Sequence, residues 1–316
     1  MTDHHLDCVP SNLHGAFAPG RAPILTVDPG DRVTASVLDA GWHLLEQARP
    51  LTYDSMVQLA QRPTEALAGH CLIGPIAVRG AKAGQVLEVR IDDVVPGTWG
   101  WGAAGGWDTP LNTALKLGMG AEEARFIWEI DREIGRARNQ HGDAVSIRPF
   151  PGVIGMPPPD PGFHSTIPPR RWGGNLDCRE LIPGSRLFLP IPVDECLLSL
   201  GDGHAAQGAG ELSGIAVECG LERLSVTLHL HDMELDMPRA ETPAGRITFG
   251  VADTLDEAAA IAVDGMLQWM GELWGLPRAR ALALASLCVD LRVTQAVNGV
   301  VGCHALLVED RVDIAR

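Results

Sequence analysis

The run Gly201-Asp-Gly-His-Ala-Ala-Gln-Gly-Ala-Gly-Glu211 holds the residues of this chain best suited to chemistry. Its small residues give backbone freedom and room, and they leave Asp202, His204, Gln207 and Glu211 as the polar groups. A carboxylate and an imidazole two residues apart point the same way when the segment is extended. Asp202 and His204 can then ligate a divalent metal or work as acid and base. The same composition also suits a Gly-rich turn whose Asp and His cap nearby backbone, and both readings stand at this level.

A second cluster is Pro168-Pro-Arg-Arg-Trp-Gly-Gly-Asn-Leu-Asp177. Gly173 and Gly174 suggest a close backbone approach. Asn175 can donate and accept, as an amide substrate requires, and Asp177 can ligate a metal or orient a base. An Asx-turn beside a packed Trp172 is the structural alternative.

The stretch from Trp172 through Glu218 resembles the central region of the acetamidase/formamidase family. The matching pieces are W-G-G-N-L-D, then G-D-G-H-A-A-Q-G-x-G-E, then a strand ending V-E-C. Two flanking pieces agree, His70-Cys-Leu-Ile-Gly-Pro-Ile and Val289-Asp-Leu-Arg-Val-Thr-Gln-Ala-Val-Asn298. The resemblance implies an amidase, a hydrolase that converts formamide or acetamide to ammonia and the carboxylate. The chain departs from the family pattern twice: Ala209 stands where Q-G-D-G-E has its Asp, and Ile73 replaces the Thr of H-x-L-T-G-P.

Amide hydrolysis needs an activated nucleophile, stabilisation of the developing oxyanion and a proton for the departing amine. No G-x-S-x-G elbow supplies a serine, and Cys178 beside Asp177 has no evident base. Lysine occurs only at Lys82 and Lys116, outside any motif, which argues against a Cys/Glu/Lys arrangement. A metal-activated water fits better. The expected ligands are Asp177, Asp202 and His204, with His70 as a fourth, on a divalent cation for which zinc is the first choice. Glu211 is assigned the proton transfer, with Asp202 also in the catalytic set; Glu211 as a ligand is the alternative. Asn175, Gln207 and Trp172 would shape a small substrate pocket. The other histidines receive no role; His229 and His231 share a strand face that reads as solvated rather than as a metal pair.

These groups need a scaffold, and the chain of 316 residues is long enough for one large domain or two smaller ones. Glycine (36) and proline (23) are abundant, so tight turns are frequent and a β-rich body is expected. Arg32–Leu38 alternates, with Val33, Ala35 and Val37 on one face, after the turn Asp28-Pro-Gly-Asp31. Val86–Ile91, Arg186–Pro190, Glu195–Ser199, Ser213–Cys219 and Leu224–His231 read as further strands. Ala121–Glu129 fits a short helix or a strand. The Gly-rich Pro96–Pro110, with Trp99, Trp101 and Trp107, reads as an irregular loop, and Pro149–Pro169 as a long ordered loop. After Thr254, an N-cap with Glu257 at the capping-box position, Ala258, Ile261, Ala262, Met266, Met270 and Leu273 recur at helical spacing. Gly275 ends that helix and Pro277 starts another over Arg278–Leu287.

The expected architecture is mainly β: a sandwich or barrel of short strands over residues 1–245, with a smaller C-terminal α/β element over 246–316 packed on it. A net charge of −15 argues against nucleic acid or an anionic membrane surface as partner. The seven cysteines are widely spaced without C-x-x-C, and no window is apolar enough to span a bilayer, so a reduced cytoplasmic protein is expected. The apolar stretch Ala279–Val289 suggests a homodimer or larger homo-oligomer. Two readings compete with an amidase acting on a small amide: a non-catalytic small-molecule binding protein, and a structural subunit, each on the same scaffold.

Overall fold

Alternation in the sequence becomes sheet. Arg32–Val37 is a strand with Val33, Ala35 and Val37 buried and their neighbours half-buried, and it pairs with Leu221–His231. The computed structural model describes residues 1–45, 52–60, 62–63 and 69–314. Among these, two large sheets dominate, and no helix is long and apolar enough to cross a membrane. A nine-stranded sheet runs in the order Asp3–Leu6, Arg32–Val37, Leu221–His231, Val86–Pro96, Arg186–Pro190, Arg239–Thr242, Gly245–Ala252, Val300–Leu307, Val289–Asn298. The second sheet has eleven strands, with Trp99–Ala104, Val217–Cys219, Leu198–Ala206, Phe150–Gly155 and Gly173–Asn175 side by side at its centre. One apolar core joins the two: Val33, Val89 and Leu224 of the first sheet with Ile76, Ile154 and Leu200 of the second.

The chain is therefore mainly β, and apart from the short helix Pro110–Ala114 its α-helices among the described residues lie near the C-terminus. Thr254 caps Leu255–Trp274 by accepting from the Glu257 amide, and Gly275 in the left-handed region closes it. Ala258, Ala262, Met266 and Met270 are buried against Cys303, Ala305 and Leu307 of the adjacent sheet, whereas Leu273 lies at the exposed end. The next helix spans Arg278–Cys288.

Two loop expectations are corrected. Within Pro96–Pro110, Trp99–Ala104 is a strand paired to Ala124–Asp131, which resolves the latter stretch as strand. A Cβ on Gly100 would sit 2.6 Å from the Glu218 carbonyl oxygen, so this glycine marks a close strand approach rather than looseness. Within Pro149–Pro169, Phe150–Gly155 is a wholly buried strand between Leu198–Ala206 and Gly173–Asn175. Ser213–Cys219 forms strand only over Val217–Cys219, and Glu195–Ser199 only from Leu198 onward, because Glu195, Cys196 and Leu197 take positive φ.

The nine-stranded sheet buries one charged node. Glu88 accepts from Arg186 Nε (2.8 Å) and Arg90 Nε (2.6 Å) and pairs with His231 Nε2 (2.5 Å). Burial opposes its charge, but hydrogen bonds from Arg186, Arg90 and His231 outweigh burial and hold the carboxyl at about 2. The folded value lies below the ordinary 4.5, so the stability it contributes is present above about pH 4.5 and fades as pH falls toward about 2. Glu88→Gln is expected to cost about 1–3 kcal/mol at pH 7, less than for a fully buried pair because both arginines reach solvent. Denaturant titrations should show that difference shrinking on acidification; a constant difference down to pH 2 would contradict the assignment.

Candidate active site

The strand Leu198–Ala206 is the axis of the site. It is buried almost throughout and brings Asp202 and His204 together, although Asp202 itself leaves the extended conformation. His204 lies directly across from Glu218 in the neighbouring strand, so the two side chains share a face. On its other flank His204 pairs with Phe150, whose ring meets the imidazole edge-on with centroids 5.1 Å apart. Asp177 follows the strand Gly173–Asn175, with its amide held by the Gly152 carbonyl. Glu211 sits on the loop after the axial strand. That loop is clamped to the edge strand Val289–Asn298 of the nine-stranded sheet, where Gly210 donates to Thr294 O and accepts from the Ala296 amide.

Asp177, Asp202, Glu211 and Glu218 thus converge on one imidazole, all five residues buried. Ligand-type atoms of Asp177, His204 and Glu211 lie within 4.8 Å of one another, as do those of Asp202, His204 and Glu218. Three of these acids, Asp177 (φ 48°), Asp202 (φ 59°) and Glu211 (φ 46°), occupy the left-handed region. A non-glycine residue there costs on the order of 1–2 kcal/mol, so the surrounding structure holds strain at the carboxylates.

Hydrogen bonds fix the imidazole. Gln207 Nε2 donates to Asp177 O (2.9 Å), which leaves Gln207 Oε1 to accept from His204 Nδ1 at 2.7 Å. Nε2 of His204 therefore faces Asp202 Oδ1 and Glu218 Oε2, each 3.3 Å away. Both oxygens, with Asp177 Oδ1, are buried without a hydrogen-bond partner among the described residues. Two ligands of one cation, each about 2.1 Å from it, stand roughly 3.0–3.4 Å apart. The donor set of one imidazole and several carboxylates therefore fits a divalent cation in chemistry and in spacing.

Electrostatics agree. Burial, then the adjacent Glu211, push the Asp177 carboxyl well above its usual range. Burial raises Glu211 to about 7 and also raises Glu218. Burial disfavours charge on His204, but Glu218 and Asp202 outweigh it and hold the imidazole well above its usual value. At Asp202 burial is outweighed by His204 and then His70, which hold it at about 2. Four buried acids against one imidazolium leave excess negative charge, which protons or a cation must offset.

The other residues singled out in the sequence fall at varied distances from this centre. His70 lies outside both ligand groups: its Nδ1 is 2.8 Å from Thr166 Oγ1, though its charge bears on Asp202. Asn175 donates to Ile167 O and keeps a buried Oδ1 without a partner among the described residues. Gln207 lines a cleft of about 700 Å³, together with Glu211, while Asp177, Asp202 and His204 lie beneath it. Trp172 is half-buried with Arg171 over its ring and is not part of the cleft wall. His231 binds Glu88 and so belongs to the sheet node.

Sequence reasoning gave no role to three residues that complete the centre. Glu218 faces His204. Asn298 donates to Asp177 Oδ2 (2.7 Å) and lies 3.5 Å from Glu211 Oε2. Gly152 leaves the space beneath the acids: a Cβ there would be driven into Asp202 Oδ2, with Asp177 Oδ1 at 2.8 Å and His204 Cε1 at 2.9 Å. Glu218 is the middle residue of V-E-C and Asn298 ends T-Q-A-V-N, two strings that the family resemblance marks. Gly152→Ala is expected to lower divalent-metal affinity and turnover by at least about 10-fold with the circular dichroism spectrum retained. Metal titration matching the wild type would show that the space is dispensable.

A buried carboxylate–imidazole centre under a cleft, carried on two β-sheets, is the class of site the geometry defines. The chain belongs to the acetamidase/formamidase family, whose model matches residues 3–161 and 162–243. It is 28% identical over 237 residues to an acetamidase of Mycolicibacterium smegmatis, covering 58% of this chain and 56% of that protein. It is 26% identical over 252 residues to a formamidase of Methylophilus methylotrophus, covering 64% and 60%. The chain thus spans less than two thirds of the length of these curated relatives. The crystal structure of an acetamidase from Bacillus halodurans superposes with a TM-score of 0.80 at 27% identity, covering 96% of each chain.

Proposed function

We propose that this protein hydrolyses the C–N bond of a small aliphatic amide, formamide- or acetamide-like, releasing ammonia and a carboxylate. The observation that carries this reading is the convergence of four buried carboxylates on His204, with partnerless oxygens, beneath a cleft in which Glu211 is the one acid. Family membership supports it independently.

In this reading Asp177, Asp202 and His204 hold a divalent cation, zinc first among candidates, with Glu218 opposite Asp202 and His70 at the periphery. When bound, the cation supplies charge to polarise the carbonyl and lowers the pKa of a water toward about 7. Glu211 faces the cleft and has a carboxyl raised to about 7, so near neutral pH it can take the proton of the attacking water and return it to the leaving amine. Asp202 holds negative charge beside His204, and Gln207 keeps the imidazole tautomer in which Nε2 faces the acids. Asn298 holds Asp177 and reaches toward Glu211, keeping the two carboxyls in register. Gln207, which lines the cleft, would meet the substrate amide, whereas Asn175 and Trp172 lie outside the cleft lining and would act on the substrate only indirectly.

The same proposal places residues 1–245 as the catalytic body and 246–316 as the element packed on it, with Asn298 contributed across that division. Seven free thiols support a reducing, cytoplasmic setting. A homodimer or larger assembly is supported by Leu282, Leu287 and Leu291, which are 49%, 77% and 52% exposed. Light scattering should give a multiple of 33.7 kDa; a monomer mass at micromolar concentration would remove that part. The function itself is tested by ammonia release from formamide, acetamide and propionamide. Turnover of at least one supports it, and no release from any by metal-replete protein would overturn it.

A further inference from the structure

The cleft beside Glu211 encloses about 700 Å³, far more than an amide of a few heavy atoms fills. Two of its lining residues are Arg148 and Arg179, both half-buried. Neither makes a side-chain hydrogen bond or ion pair among the described residues, although the chain carries 40 acids against 25 bases. Most other arginines near acids are engaged: Arg186 with Glu88, Arg223 with Asp93, Arg292 with Glu180. Leaving two guanidinium groups partly desolvated and unpaired in one cavity costs stability that no residue of the cleft returns. Glu211 is the one acid among the lining residues, which carry two guanidinium groups against it. Phe126 and Trp128 line the same cavity from one strand, their ring centroids 6.0 Å apart. A hydrophobic wall with a cationic pair suits a ligand with a short apolar segment and an anionic end.

We propose that this cleft selects amides whose acyl chain ends in a carboxylate, with Arg148 and Arg179 binding the carboxylate, Phe126 and Trp128 covering the chain, and the amide directed to Glu211. This rests on the amidase reading and narrows its substrate class to monoamides of short dicarboxylic acids. The reaction stays a hydrolysis: water adds, the C–N bond breaks, ammonia leaves and the diacid remains. Without the arginines, such a substrate would meet a strongly acidic protein and a cluster of buried carboxylates, and would be repelled.

The test compares kcat/KM for malonamate, succinamate and glutaramate with that for the uncharged acetamide, propionamide and butyramide, using metal-replete protein. At least one charged amide should exceed its uncharged counterpart about 10-fold or more. Arg148→Gln and Arg179→Gln should each lower that ratio about 10-fold, with Arg148→Lys between. Calorimetry with succinate and glutarate supplies a readout independent of turnover. Diacid binding that is lost in the arginine variants, without hydrolysis of any amide, would uphold this cleft assignment while removing the amidase reading. Hydrolysis of simple amides with no preference for the charged series would leave the amidase reading standing and overturn this one. Absence of both preference and diacid binding would overturn it as well.

Discussion

His204→Ala is expected to release the divalent metal and reduce amide turnover to background, a loss of at least about 10³-fold. The imidazole is the one nitrogen ligand in both candidate ligand groups, so its removal breaks Asp177–Glu211 and Asp202–Glu218 at once. Its orientation is set: Gln207 takes Nδ1, and Nε2 is left facing two oxygens 3.3 Å away. The variant also leaves four acids buried without a counter-charge, and burial would drive them to take up protons. Elemental analysis and ammonia release on the same preparation give the answer. A variant that kept stoichiometric metal and wild-type rate would place the active site elsewhere.

Glu211→Gln should reduce turnover by about 10²–10⁴-fold while the protein keeps its fold and its metal. The change preserves size and removes basicity, so it isolates proton transfer from packing. Glu211 is the acid of the centre that lines the cleft, and burial has raised its carboxyl to about 7, where it can both accept and donate. Its Oε2 lies 3.5 Å from Asn298 Nδ2, a contact that glutamine can retain. If metal were lost with activity, Glu211 would be a ligand and the proton would pass through another group. Full activity in this variant would remove Glu211 from the chemistry.

Much of this organisation was legible in the residues. The alternation of Arg32–Val37 became a half-buried strand, and the capped, helically spaced run after Thr254 became Leu255–Trp274. Asp202 and His204 were readable as neighbours from their spacing on the strand Leu198–Ala206, but the left-handed turn of the backbone at Asp202 was not. The Gly- and Pro-rich strands were not readable. Phe150–Gly155 and Trp99–Ala104 lack the usual β-branched composition, since their glycines serve close approach to neighbouring chains. Glu218 and Asn298 escaped for a different reason. Their roles come from cross-strand register with His204 and from the end of the strand Val289–Asn298 reaching Asp177, and neither contact has a local sequence signal. Gly152 reads as a turn residue until the acids above it are placed. That Arg148 and Arg179 line one cavity without a side-chain hydrogen bond or ion pair among the described residues likewise has no local sequence signal.

The most direct test of the central claim is ammonia release from acetamide and formamide before chelation, after chelation, and after return of zinc or another divalent cation. The account predicts activity in the untreated protein, its loss on chelation, and its recovery with about one metal equivalent per chain. Amide hydrolysis unchanged in a sample that elemental analysis shows to be metal-free would contradict it.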